Sequence, residues 1–137
     1  MKLDHVGIAV ESIDAVLGFY EWSLGLVVSH REDVAAQGVR VAFLKDPADS
    51  GAPIELLEPL GGEGAVAKFL KSRGAGMHHL AFKAADISKE MKRLEAAGRP
   101  PLDRAPRLGA RGHAVCFLHP KHAGGVLVEL VGSGDDS

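Results

Sequence analysis

The chain carries one pattern twice. "LDHVGIAVESIDAVLGFY" at residues 3–20 lies over "MHHLAFKAADISKEMKRL" at 77–94 with His5 on His79, an offset of 79 minus 5, or 74. Repetition at a fixed spacing constrains a fold more than local propensity does, because both copies must build the same unit. Each copy opens with a short apolar run, passes a polar start signal, and continues with apolar residues at helical spacing. These are Ile13, Val16, Leu17 and Tyr20 in the first copy and Ile87, Met91 and Leu94 in the second. Ser12 and Asp86 are suitable helix N-caps. The offset persists downstream: "VAFLKDP" at 41–47 meets "VCFLHPK" at 115–121, and "PIELL" at 53–57 meets "LVELV" at 127–131. Glu55 therefore falls on Glu129.

The repeat predicts an α+β fold of two tandem βαβββ modules, about 1–60 and 76–132, joined by a connector at about 61–75 in a single domain spanning 1–137. "LVVSHRE", "VRVAFLKD" and "PIELLEP" supply the last three strands of the first module. The second-module counterpart of "LVVSHRE" is weak, because "RPPLDRAPRLGARG" is rich in Pro, Gly and Arg. The connector "GGEGAVAKFLKSRGAG" reads as a short helix with Val66, Phe69 and Leu70 on one face. Its glycines lack the spacing and the lysine of a phosphate loop. The tail "GSGDDS" at 132–137 is expected to fray. Trp22, the only tryptophan, is expected to pack near the end of the first helix rather than stack on a substrate.

Sixteen Lys plus Arg against eighteen Asp plus Glu give a formal charge of -2, and 46% hydrophobic residues suit an ordinary globular core. That balance argues against bulk nucleic-acid binding. No apolar run approaches the ~20 residues of a membrane span, and "MKLDHVGIAV" lacks signal-peptide anatomy, so a cytoplasmic protein is expected. Cys116 is the only cysteine, which excludes an internal disulfide and a thiolate cluster, and "AVCFL" makes it a small buried residue.

Strand periodicity decides which histidine matters. Leu3, His5, Gly7 and Ala9 share one face, and Asp4, Val6, Ile8 and Val10 the other. In the second copy Met77, His79, Ala81 and Lys83 lie opposite His78, Leu80, Phe82 and Ala84. His79, not His78, answers to His5. The bulkier face suits packing against a helix, and small residues leave room in front of the histidine. Glu55 and Glu129 are carboxylates inside apolar strand runs, where an uncompensated charge costs several kcal/mol. One imidazole and one carboxylate per copy, brought together by a pseudo-twofold axis, would suit a divalent ion of the Mn, Co, Ni or Zn type. The competing reading gives each Glu a buried basic partner and leaves each His as a core residue, but it must place both pairs at one offset by coincidence. His113, His119 and His122 read as surface residues, not ligands.

The segments "LDHVGIAV", "GVRVAFL", "IELLEPLG", "GMHHLAF" and "LGARGHAVCFLHPKHAGGVLVEL" resemble the vicinal oxygen chelate superfamily over nearly the whole chain. More narrowly they resemble its methylmalonyl-CoA epimerases, with "FLHPK" and "GGVLVEL" the most specific parts. The resemblance implies a cupped mixed sheet around a metal site, with ligands at His5, Glu55, His79 and Glu129, the four positions that the repeat selects by itself. Some family members have Gln at the position of Glu55. Part of the family places a catalytic glutamate on the third strand, where this chain has Val41.

The implied reaction interconverts (2R)- and (2S)-methylmalonyl-CoA by proton transfer at carbon 2 through a metal-stabilised enolate. Glu129 is the first choice for one base, Glu55 the symmetric choice for another, and Gln37 a neighbour that orients substrate. Coenzyme A phosphates would need Arg104, Arg107, Arg111 and Lys121, whose alternative role is as solvated loop charges. The expected partners are a small acyl-CoA substrate and a second copy in a homodimer. Two rivals share the fold: a glyoxalase I-type lyase acting on a glutathione hemithioacetal, and a non-enzymatic protein that sequesters small molecules. An extradiol dioxygenase would leave its iron two His and one Glu, so a fourth donor at Glu55 counts against it.

Overall fold

The computed structural model describes residues 1–133. The chain divides into two compact units, residues 5–78, and residues 1–4 together with the chain from 79 onward. Of the tail expected to fray, 132–137, Gly132 is instead buried and donates its N–H to the Ala114 carbonyl at 2.8 Å, and residues 134–137 lie outside the described residues.

The first unit is built from β1 (Leu3–Ala9, whose first two residues count with the other unit), α1 (Ile13–Gly18), β2 (Val27–Val34), β3 (Val39–Lys45), β4 (Ile54–Pro59) and α2 (Ala65–Arg73). The strands lie in the order β2-β3-β4-β1. β1 and β4 run parallel, while β3 is antiparallel to both of its neighbours, β2 and β4. Alternation along each strand sorts the side chains. Ile8, Ala42, Leu44, Ile54 and Leu56 turn to α1, whose Ile13, Val16, Leu17 and Tyr20 form the apolar stripe read from the sequence. Ile13, Leu44 and Leu56 are fully buried there, each worth about 1.5–3 kcal/mol of apolar transfer. His5, Gly7, Ala9, Val39, Val41, Phe43, Glu55 and Leu57 take the opposite face.

Ser12 caps α1 as expected, its Oγ accepting the Ala15 N–H at 3.3 Å. A second acceptor comes from far away in sequence: Glu58 Oε1 takes the Ile13 N–H at 2.8 Å. Beyond Gly18 the helix widens into a π-type turn, Phe19–Ser23, and here the structure corrects the reading of Trp22. Trp22 is 89% exposed. It lies two residues past Tyr20, about 200° around a helix from the buried stripe, so its ring points to solvent.

The second unit repeats the plan with β5 (Gly76–Lys83), α3 (Ile87–Ala96), β6 (Arg107–Leu108), β7 (Ala114–Leu118) and β8 (Leu127–Val131), in the order β5-β8-β7-β6. This is the first unit's order carried over strand for strand. Asp86 caps α3 by accepting the Lys89 N–H at 3.1 Å. Ile87 and Met91 pack with Ala84, Cys116 and Leu130, and Phe82 and Leu94 flank them. Gly98 follows α3 at φ +78°, the left-handed conformation that lets its N–H and that of Arg99 close the helix end on Glu95 and Leu94. The weak strand is as short as the sequence suggests. Prolines at 100, 101 and 106 withhold N–H donors, and this segment meets β7 at Phe117, where the Leu102 N–H donates to the Phe117 carbonyl at 2.8 Å and Asp103 accepts the Phe117 N–H at 2.8 Å.

Candidate metal centre

Two half-sites of one design occupy equivalent places in the two units. In the first, His5 on β1 and Glu55 on β4 sit on neighbouring parallel strands, in a register that sets Gly7 beside Glu55. Both are buried, at 3% and 5% exposure, with His5 Nε2 3.1 Å from Glu55 Oε1. In the second, Ala81 is the register partner of Glu129. His79 and Glu129 are 3% and 6% exposed, with His79 Nε2 3.3 Å from Glu129 Oε1. Small Gly7 and Ala81 keep bulk away from the carboxylates, as the face analysis expects.

A third residue belongs to each half-site. The Phe43 ring stands edge-on to His5 at 5.4 Å between centroids, and Phe117 stands edge-on to His79 at 6.2 Å. Phe117 is Phe43 displaced by the same 74 residues, so the overlay of "VAF" on "VCF" contained the signal. These rings fix the imidazole planes by packing.

The donor sets fit a transition-type cation. Two donors at right angles, each about 2.1 Å from a common ion, stand about 3 Å apart, close to the Nε2–Oε1 separations in both halves. The acid in each half has an imidazole as neighbour, and neutral imidazole with carboxylate is the ligand chemistry of Mn, Co, Ni and Zn.

Other residues selected from the sequence are dispersed. Gln37 ends the turn Ala35–Gln37 between β2 and β3, and its Nε2 is buried without a hydrogen-bond partner, a donor held in reserve. Arg107 pairs with Asp103 at 2.8 Å and lies over the Phe117 ring at 5.6 Å. Arg111 donates to the buried Asp4 at 2.7 Å. Arg104 is exposed on the wall of a cavity of about 670 Å³ between α3 and residues 100–106, which Lys92 and Glu95 also line. Lys121 is exposed in the turn Pro120–His122. His119 and His122 are exposed as expected, and half-buried His113 is tied through Nδ1 to the Gly132 carbonyl at 2.8 Å. Cys116 is fully buried, and burial, reinforced by Asp103 and Glu129, pushes its thiol up to about 11.

Sequence reasoning missed one pair. His30 Nε2 and Glu32 Oε1 on β2 lie 2.7 Å apart, both half-buried. A β-bulge between Val28 and His30 decides which face they occupy, and no residue pattern announced it.

The Glyoxalase/Bleomycin resistance protein/Dioxygenase superfamily model matches residues 4–117. The chain is 42% identical to the uncharacterized protein YqjC of Bacillus subtilis (strain 168), an alignment covering 94% of this chain and 90% of the relative. It is 40% identical to the ethylmalonyl-CoA/methylmalonyl-CoA epimerase of Cereibacter sphaeroides, over 94% of this chain and 96% of that one. Among solved structures, a variant of Streptomyces coelicolor methylmalonyl-CoA epimerase in complex with 2-nitronate-propionyl-CoA aligns with a TM-score of 0.90 at 42% identity, covering 97% of this chain and 94% of that one. The α+β architecture expected from the repeat is the one this solved epimerase structure also has. The chain belongs to the glyoxalase/bleomycin resistance protein/dioxygenase superfamily and, within it, to the methylmalonyl-CoA epimerase family.

Proposed function

We propose that this chain interconverts the 2R and 2S epimers of methylmalonyl-CoA, with one divalent cation of the Co, Mn, Ni or Zn type shared by His5, Glu55, His79 and Glu129. The observation that carries the reading is the buried His–Glu pair, built twice at equivalent register positions. It occurs in a chain 40% identical, over nearly its whole length, to a protein named for this epimerisation.

When bound, the cation supplies Lewis acidity that makes the carbon 2 proton removable. The protein's own side chains do the rest. Glu129 accepts the proton from carbon 2 on one face as the C–H electron pair moves into the thioester carbonyl; a carboxylate bound through one oxygen keeps the other for this task. Proton return to the opposite face completes the inversion, and Glu55 is the repeat-related candidate for that role. Gln37, with its buried Nε2, is an amide donor for the acyl carboxylate. Of the four basic residues read from the sequence, exposed Arg104 and Lys121 supply positive charge for the phosphates of coenzyme A, while Arg107 and Arg111 are already engaged by Asp103 and Asp4.

The two modules act as one domain in a cytoplasmic homodimer on this reading. No helix among the described residues is long and apolar enough to cross a membrane. Exposed Phe19, Trp22 and Leu24 at the end of α1 offer apolar surface for a second copy to cover.

The test is reconstitution with cobalt or manganese, followed by single-epimer methylmalonyl-CoA in heavy water. Epimerisation with deuterium entry at carbon 2 is expected. Turnover of methylglyoxal with glutathione in place of that result would move the chain to the glyoxalase reaction, and absence of metal uptake would point to sequestration.

A further inference from the structure

Inverting carbon 2 requires a proton-transfer group on each side of a planar enolate. Glu129 serves one side in the proposed function, and because a carboxylate bound to a divalent ion loses basicity to it, a second metal-bound acid, Glu55, is the weaker choice for the other side. A second group not tied to the metal would keep its basicity. In the first unit the face that carries His5 and Glu55 is otherwise lined by Gly7, Ala9, Val39, Val41, Phe43 and Leu57, none of which can move a proton.

The exceptions are His30 and Glu32. Arg31 between them turns the other way and reaches Asp14 on α1 at 3.4 Å, which puts His30 and Glu32 on the face away from the helix. The bulge accomplishes this. Val28 pairs with Leu44 and packs on the helix side, whereas His30, two residues on, pairs with Phe43 on the opposite face. Without the extra residue, strand alternation would turn His30 and Glu32 toward α1. The His30 ring rests 6.2 Å from that of Phe43, which in turn abuts His5. Glu32 lies directly across from Val41, and Val41 across from Leu57, two residues along β4 from Glu55. Ordinary strand spacings put the Cα atoms of Glu32 and Glu55 about 12 Å apart, which leaves a gap for a small acyl group between two extended side chains.

Asymmetry supports the assignment. Offset by 74, Glu32 meets Pro106, and β6 has two residues where β2 has eight. The metal half-sites are duplicated; this pair is not, as expected of a group added to one side of a symmetric centre.

We propose that Glu32, oriented by His30, is the second proton-transfer residue, an inference that rests on the epimerase reading. In one direction Glu32 takes the carbon 2 proton, the C–H pair enters the thioester carbonyl, and Glu129 in its acid form delivers a proton to the other face. Glu32 then returns its proton to solvent and Glu129 regains one. The reverse reaction exchanges the roles.

Each epimer, supplied separately in heavy water, is followed for epimerisation and for deuterium entry with metal-loaded wild type, Glu32→Gln, Glu32→Asp and Glu32→Ala. Glu32→Gln is expected to lose at least a hundredfold in epimerisation while one epimer still takes up deuterium with its configuration retained. Glu32→Asp should keep more activity than Glu32→Gln, and formate should raise Glu32→Ala at least tenfold. Active wild type beside a Glu32→Gln rate within threefold of it overturns this inference alone. So does a parallel loss of both deuterium entries with no rescue by formate or by Glu32→Asp. A wild type that leaves both epimers unchanged overturns the epimerase reading and this inference with it.

Discussion

Glu55 and Glu129 are charges where charge is expensive, each at most 6% exposed in a strand run otherwise apolar. Removing one charge while keeping the shape separates a ligand from a spectator. Glu129→Gln is expected to weaken metal binding at least tenfold and to lower epimerisation at least a hundredfold, since it takes away a ligand and a base together. Glu55→Gln should weaken metal binding but spare more activity, a contrast readable by calorimetric titration beside the rate. Full exchange activity and intact metal binding in both variants would reject their roles. These four residues were legible in the sequence because the repeat tests each against its copy, a check that no single histidine or glutamate offers alone. Gln37 and the arginines have no such partner, and only coordinates show that Arg107 and Arg111 already face acids. Cys116 gives a second prediction at this scale. Its folded pKa lies above the unfolded value, so its contribution to stability is fully present below the unfolded pKa and is lost as pH climbs toward about 11. The melting temperature should fall across that window less steeply in Cys116→Ala than in wild type, and iodoacetamide should label the native thiol far more slowly than the denatured one at pH 8.

Among elements, the strands and helices followed from periodicity, and the caps from residue type. Asp86→Ala should cost about 1 kcal/mol in denaturant unfolding, the usual worth of a satisfied N-cap. The support of α1 was not legible. Glu58 is 45 residues from Ile13, yet its Oε1 accepts the Ile13 N–H at 2.8 Å while its Oε2 accepts from Arg40 at 3.2 Å. Glu58→Ala should therefore cost about 1–2 kcal/mol, and Ser12→Ala less, because the Ser12 bond is longer and exposed. A larger effect at Ser12 would show that the local cap, not the strand, holds the helix start. Bulges escape sequence reading for a related reason. Val28, Ser29, His30 and Glu32 alternate as any exposed strand does, and only the pairing with Leu44 and Phe43 shows the register slipping. Sequence reading also left Trp22 in a packed position, because it extended the α1 stripe past the point where the helix widens.

For the molecule as a whole, the repeat leaves a quantitative choice between two ions and one. If each His–Glu pair bound its own cation, every ion would have two protein ligands and the chain would saturate at two. If the pairs share one, four protein donors act together and the chain saturates at one. Affinity follows the donor count, since each water that a fixed ligand replaces adds favourable interaction without a further loss of the ion's translational freedom. The shared arrangement predicts one tightly held cobalt or manganese per chain, measured by elemental analysis after gel filtration. It also predicts that His79→Ala, which damages only one pair, abolishes this tight binding rather than halving it. Binding to the folded state alone adds about 2.7 kcal/mol at a hundredfold excess over Kd, equivalent to a rise of roughly 10 °C in Tm for a chain this size. A chelator should reverse that rise in wild type and leave His79→Ala unchanged. Two ions per wild-type chain, with one surviving in His79→Ala, would mean that the copies bind metal independently, and the duplication would then explain the fold without explaining the chemistry.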